Sequence, residues 1–226
     1  MTLTINTSKM KNAAAFVIIS LLFWGLSSCG KYTSTHLGGD TEITISEVGN
    51  EFTFDASSSN GGANIQASCE IISREDGIVT AEIEADLSDP DFEFINDLIP
   101  ANLKDNDGKL NTDFKCKITS DGVQDFANID EDAFTLVKYN AKVGDTYKLK
   151  KSDGKTITRT VTERTDEDDF YYDFMLIKTI EVEQDSRVPG ISKFVYRFNH
   201  KFGLVHVKVV ADDGSEYRTY VHAQNF

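Results

Sequence analysis

No catalytic signature occurs in this chain. It has no Gly-x-Ser-x-Gly turn to expose a nucleophilic serine, no Walker loop and no glycine-rich dinucleotide pattern. Basic residues are outnumbered, 23 Lys and Arg against 37 Asp and Glu, for a net charge of −14. An acidic surface repels phosphate backbones, which argues against nucleic acid as a partner. Cysteine is scarce, three in 226 residues, and histidine nearly so, with four. With 37 acidic side chains, no particular pair of carboxylates points to glycoside hydrolysis before a structure is known. These absences leave a noncatalytic binding or structural protein as the first expectation, with no cofactor and no metal.

One long apolar run is present, over residues 13–26, and Lys9 and Lys11 precede it. A basic segment, an apolar segment and small residues at a cleavage point make a secretory signal. The run is shorter than the roughly 20 apolar residues a membrane span needs. Met10 would serve equally well as the start, because Met10-Lys11-Asn12 is itself a normal basic segment.

Leu26-Ser27-Ser28-Cys29 closes this run. It resembles the bacterial lipoprotein box, an aliphatic residue and two small residues before a cysteine. The resemblance implies that the Cys29 sulfur receives a diacylglycerol, that cleavage precedes Cys29, and that its freed amine is acylated, for example with palmitate. Two or three acyl chains make attachment effectively stable, whereas one binds only marginally. Gly30-Lys31 follows, with no aspartate beside the cysteine. By resemblance to enterobacterial sorting, that implies the outer membrane of a Gram-negative bacterium, and the absence of an acidic cluster after Cys29 implies a periplasm-facing domain. Cleavage there removes 28 of the 226 residues and leaves 198, with 21 basic and 37 acidic side chains and a net charge of −16. That is enough chain for one domain or two small ones. The expected organisation is a signal peptide over residues 1–28, a flexible tether over 29–40 and a single β-rich domain over 41–226. A sub-boundary near 130–140 is left open.

Residues 31–40 are rich in Ser, Thr and Gly, as a tether should be. Alternation through Ile43 and Ile45, and again through Phe52 and Phe54, predicts strands. Residues 57–62, Ser-Ser-Ser-Asn-Gly-Gly, read as a loop. Residues 63–74 and 78–87 read as a hairpin around Glu75-Asp76-Gly77, since Asp-Gly supplies the positive φ of a tight turn. Asp89-Pro90 changes the period: Phe92, Ile95, Leu98 and Ile99 predict one short helix that Pro100 stops. Residues 103–113 read as a polar loop. From Phe114 onward strand and turn alternate. In residues 156–165, Ile157, Arg159 and Val161 share a face opposite the threonines. Phe170, Tyr172, Phe174, Leu176, Ile180 and Val182 are expected to point one way along a single long strand. Residues 194–200, 204–210 and 216–222 complete a meander, with Val195, Val205, Val207, Val209, Tyr217 and Val221 expected on its buried side.

Val143-Gly144-Asp145-Thr146-Tyr147 and Phe202-Gly203-Leu204-Val205 bracket this last part. It resembles envelope lipoproteins in which such motifs belong to a strongly curved antiparallel sheet, the half-barrel of the LolA/LolB type. The expected fold is therefore mainly β, an antiparallel curved sheet forming a half-barrel or sandwich, with one short helix.

If Cys29 is acylated, Cys69 and Cys116 remain, in a compartment that permits disulfides. A bridge between them would close a loop of about fifty residues, worth roughly 4 kcal/mol in the chain-entropy picture. Two buried free thiols are the alternative. Asp105-Asn106-Asp107-Gly108 falls short of a calcium loop: Leu103 and Phe114 stand where the first and twelfth ligands belong. The acidic run Asp166-Glu167-Asp168-Asp169 reads as a solvated turn. His200, His206 and His222 are expected on one face of the terminal meander, too far apart for a ready zinc site. Three functional readings follow. The first is a lipid-anchored protein binding an apolar or amphipathic ligand or a partner protein. The second is a structural or assembly lipoprotein acting by protein contacts alone. The third is an envelope glycan hydrolase.

Overall fold

The structure, a computed structural model, describes residues 37–58, 61–63, 67–86, 99 and 101–225. The lipoprotein box at Cys29, most of the tether and nearly all of the helix expected at residues 89–100 lie outside the described residues; Ile99 is described, and it is buried in the core.

Among the described residues, fifteen strands run in order: β1 Glu51–Ser58, β2 Gly61–Ala63, β3 Ala67–Glu75, β4 Ile78–Ala85, β5 Leu110–Thr119, β6 Gly122–Asp125, β7 Phe134–Lys138, β8 Thr146–Lys150, β9 Thr156–Arg164, β10 Phe170–Tyr172, β11 Met175–Ile177, β12 Ile180–Asp185, β13 Ile191–Asn199, β14 Gly203–Ala211 and β15 Glu216–Ala223. Thirteen of them form one antiparallel sheet, ordered β7-β6-β5-β4-β3-β1-β15-β14-β13-β12-β9-β8, with β2 paired to β1. The sheet curls until its two ends meet, so the protein is mainly β, a nearly closed barrel. Among the described residues, two short 3-10 turns, Thr44–Ser46 and Ala101–Leu103, interrupt the connections.

Local chemistry explains most of these elements. Asp76 and Gly77 both take positive φ, 51° and 76°, the requirement of the tight turn that joins β3 to β4. Alternation sets the faces. On β13, Phe194, Tyr196 and Phe198 point inward and are at most 1% exposed. They pack with Val207 and Val209 of β14 and Tyr217 of β15 in one core that reaches across to β3, β4 and β5. Each such side chain contributes about 1.5–3 kcal/mol by leaving water.

The seam between β7 and the β8–β9 hairpin has no continuous ladder; side chains close it. Arg159, on β9, crosses to the other end of the sheet. Its Nη2 lies 2.6 Å from Asp125 Oδ2 on β6, and Nη1 donates to the carbonyls of Phe134 and Thr135 on β7 at 3.2 and 3.1 Å. Nε donates to Gln184 Oε1 on β12 at 2.7 Å, and the guanidinium sits 4.1 Å over the Phe134 ring. Tyr147 Oη accepts the Lys138 N–H across the same seam.

Several expectations need correction. Residues 103–113 are not all loop: β5 begins at Leu110, and residues 110–113 pair with Ala85 to Glu82 on β4. Residues 41–45 form no strand: the chain runs irregularly into the 3-10 turn Thr44–Ser46, and Ser46 Oγ donates to the Thr41 and Ile43 carbonyls. Ser57 and Ser58 are not loop but pair with Gly62 and Gly61. Residues 170–182 are not one strand. The chain doubles back at Asp173-Phe174, so β10 and β11 form a separate hairpin; Tyr172 and Ile180 are buried, but Phe174 is 98% and Leu176 53% exposed. Cys69 and Cys116 are free thiols. Strand β4 lies between theirs, with Cys69 opposite Ile83 and Cys116 opposite Val79. Two strand spacings of about 4.8 Å and four residues of rise separate them, far beyond the ~7 Å a disulfide spans.

Candidate functional site

Antiparallel pairing sorts the connections to two ends of the barrel. The turns after β3, β5, β7 and β13, and the excursion from β9 to β12, share one end. The chain enters there as well. Asp40 and Ser120 exchange two hydrogen bonds, of 2.8 and 2.9 Å, and the Leu37 N–H reaches Gln124 Oε1 at 3.4 Å. This pins the first described residues to the β5–β6 turn. Ile45 then packs against Gly203, after β13.

A cleft of about 510 Å³ opens at this entry end. Tyr139, half-buried, and the edge of Ile180 give it apolar surface; Asp121, Arg164, Asp166, Lys178 and His200 give it charge of both signs. Its walls are tied down. Arg164 Nη1 donates to the carbonyls of Tyr139 and Ala141 at 3.0 and 2.8 Å. Asn199 Nδ2 donates to the Lys178 carbonyl, and Asn199 Oδ1 accepts from Lys201 and Phe202. His200 meets the Tyr139 ring edge-on at 6.5 Å, and burial pushes the Tyr139 hydroxyl's pKa up. Lys178 and His200 are exposed where they line the cleft.

The barrel interior offers less room. An apolar space of about 110 Å³ remains beside Phe52, Phe54, Cys69, Phe114 and Cys116, and Phe198 lines both it and the cleft. Burial pushes the Cys69 thiol up to about 12 and raises Cys116 as well. Neither offers a thiolate near neutral pH, so both act as apolar packing.

The histidines divide. His200 belongs to the cleft. His206 and His222 lie on the outer face of β14 and β15, either side of Tyr220, with ring separations of 4.9 and 6.3 Å. The β10–β11 hairpin covers them. Phe170 packs edge-on to His206 at 5.9 Å, and Tyr172 stacks on His222 at 5.4 Å. The Tyr172 hydroxyl donates to the Val221 carbonyl at 2.8 Å, and Asp173 Oδ1 lies 2.6 Å from His222 Nδ1. Of the face expected to be buried in this meander, Val207, Val209 and Tyr217 point into the core, but Val195 and Val205 do not: Val195 alternates with the inward Phe194 and Tyr196, and Val205 faces outward, into a small cluster with Tyr172, Ile177 and Phe202. Among the described residues, no group of three or more His, Cys, Asp or Glu is placed to hold a metal. Asp105 Oδ1 accepts the Asp107 and Lys109 N–H groups, an ordinary turn.

Sequence reasoning missed the hairpin. Its cue is legible afterwards: residues 170–177 are apolar on both faces except for Asp173. A lone aspartate in such a run marks a two-residue turn, because Asp tolerates the positive φ, here 52°.

No family model matches the chain, and no curated protein does. Two solved structures are similar at low identity. One, from Bacteroides fragilis, is described as an exported protein with a YmcC-like fold; it is 10% identical, with a TM-score of 0.47, and the match covers 77% of this chain and 94% of that one. The other is described as a lipoprotein of Parabacteroides distasonis, 10% identical, with a TM-score of 0.45, over 80% of this chain and 98% of that one.

Proposed function

We propose that this is a lipid-anchored protein of the bacterial cell envelope that works by binding and not by catalysis. Cys29 carries the diacylglycerol, and the domain faces the periplasm from the outer membrane. The ligand is small and amphipathic and sits in the entry-end cleft. One contrast carries this reading. Ligand sites run to about 300–1,000 Å³. The cleft, at about 510 Å³, is in that range, whereas the interior space of about 110 Å³ is too small for a lipid chain. Tyr139 and Ile180 suit an apolar portion, and Lys178 and His200 suit a polar or anionic one.

The test is native mass spectrometry of full-length protein extracted from membranes in mild detergent. Wild type should retain an amphiphile that the Lys178→Glu/His200→Glu double variant loses. Equal retention, or none in wild type, would refute cleft binding. Replacing Cys29 with Ser should release the protein from the membrane fraction. The second reading, assembly through protein contacts alone, is favoured by the filled interior; it predicts specific crosslinked neighbours that survive the double variant.

A further inference from the structure

The large hydrophobic side chains left in water are not scattered. Val48, Ile72, Val143, Tyr171, Phe174, Met175 and Leu176 are each more than 40% exposed, and all seven belong to segments that connect at the entry end or run up to it. Val48 precedes β1, Ile72 lies near the β3–β4 turn and Val143 follows β7. The other four belong to the β10–β11 hairpin. Single exposed hydrophobics are ordinary, but a cluster confined to one end of a molecule marks a surface that meets something.

The hairpin is built to hold such a surface out. Register places Phe170 with Ile177 and Tyr172 with Met175, so Phe170, Tyr172 and Ile177 grip the barrel. Tyr171 and Leu176, paired, face outward, and Phe174 stands at the tip, 98% exposed. The grip is specific: the Tyr172 hydroxyl to the Val221 carbonyl, Asp173 to His222, and Arg197 at 5.2 Å over the Phe170 ring. Arg197 is itself held by Glu163 and Glu181, both at 2.7 Å. A tip fixed in this way loses little conformational freedom on docking.

The length of chain upstream says what covers it. Leu37 is pinned at this end, and Cys29 lies eight residues before it. Eight residues span at most about 28 Å. We infer that the β10–β11 hairpin is a membrane-seating element: Tyr171, Phe174 and Leu176 enter the interfacial region of the bilayer that holds the Cys29 acyl chains. This rests on the lipid-anchor reading. Aromatic residues are suited to headgroup depth, and apolar burial there adds to the acyl chains' hold. The neighbouring run Asp166-Glu167-Asp168-Asp169 is exposed and disfavours an anionic surface, so the seat is a zwitterionic one.

The sequence supplies a clean probe. Its one tryptophan, Trp24, lies in the leader, so cleavage before Cys29 leaves none. Full-length Phe174→Trp protein, its processing and acylation confirmed by mass, is reconstituted into phosphatidylcholine vesicles with brominated acyl chains. Leu176→Trp is a second probe, and Ser152→Trp, in the exposed turn at the opposite end, is the reference. The expected result is blue-shifted, strongly quenched emission for Phe174→Trp and Leu176→Trp, and unquenched emission for Ser152→Trp. Quenching no greater than the reference, in acylated protein that sediments with the vesicles, overturns the seating and leaves the anchor standing. A blue shift that needs added envelope protein, and is absent with lipid alone, assigns the tip to a protein partner and also overturns it. A chain that carries no acyl group and does not sediment refutes the anchor reading, and the seating falls with it.

Discussion

Replacing Arg159 with Met should open the seam of the barrel. The guanidinium is 5% exposed and Asp125 is 1% exposed, so the variant leaves a carboxylate in the interior with no counter-ion. The Phe134 and Thr135 carbonyls and Gln184 Oε1 lose a donor in the same step. Breaking a buried pair from one side costs about 3–5 kcal/mol. At about 2–4 °C per kcal/mol for a domain of this size, the melting temperature should fall by roughly 6–20 °C. Replacing both partners with apolar groups, as Arg159→Met/Asp125→Leu, removes the stranded charge and should recover most of the loss. Burial raises the Asp125 carboxyl and Arg159 opposes the rise, so the single variant raises it further. A carboxyl raised in the folded state binds more protons there than in the unfolded chain. Its effect on stability therefore worsens as pH climbs above the unfolded value of about 3.9. The Arg159→Met deficit should be largest at neutral pH and shrink on acidification. Urea and thermal unfolding of the two variants across pH 4–8 measure this. A single variant within 2 °C of wild type, or a double variant no better than the single, would refute the seam argument.

Two further outcomes are expected. Burial under Phe170 and Tyr220 lowers the His206 pKa to about 4, helped by the charges of Arg197, Arg218 and Lys208 and opposed by Glu216. The unfolded chain therefore takes up this proton near 6.5 and the folded one only near 4, so stability is lost as pH falls through that window. His206→Phe should flatten the wild-type pH slope between 6.5 and 4 by a few kcal/mol at most, at 1.36 kcal/mol per unit; an unchanged slope would exclude His206 as its source. Gly122 has φ of 153°, and a Cβ there would meet the Val137 carbonyl oxygen at 2.1 Å. Gly122→Ala should cost about 1–3 kcal/mol in urea unfolding, whereas Gly154→Ala, whose Cβ has open space, should cost less; equal costs would refute the clash.

The regular part of this fold was legible because each signal was local. Alternation placed Ile157, Arg159 and Val161 on one buried face, and Asp-Gly turns marked the hairpin corners. What could not be read depended on partners distant in sequence. Arg159 looked like a polar residue in an apolar row; nothing nearby announces that Asp125 and Gln184, 34 and 25 residues away, will meet it. The cysteines looked bridgeable because strand order was unknown, and β4 separates them. The entry-end cleft draws on five connections and has no continuous motif. The hairpin defeated the reading for the opposite reason: with apolar residues on both faces, periodicity could not tell one long strand from two short ones.

The pairing of β1 with β15 has a consequence for how the chain assembles. Most ladders join strands close in sequence, yet Phe52 lies opposite Ala223. A chain that emerges amino end first, from the ribosome or across a membrane, can zip β3 to β7 and later β9 to β14 as each appears. Until residues 216–223 follow, β1 and β14 present bare edges, each ready to pair with a neighbouring molecule. Closure by the last strand is a long-range, entropically slow step. The interval before it is when this protein is most exposed to aggregation, and a holding chaperone acting on the nascent chain would matter most while the edges of β1 and β14 wait for β15.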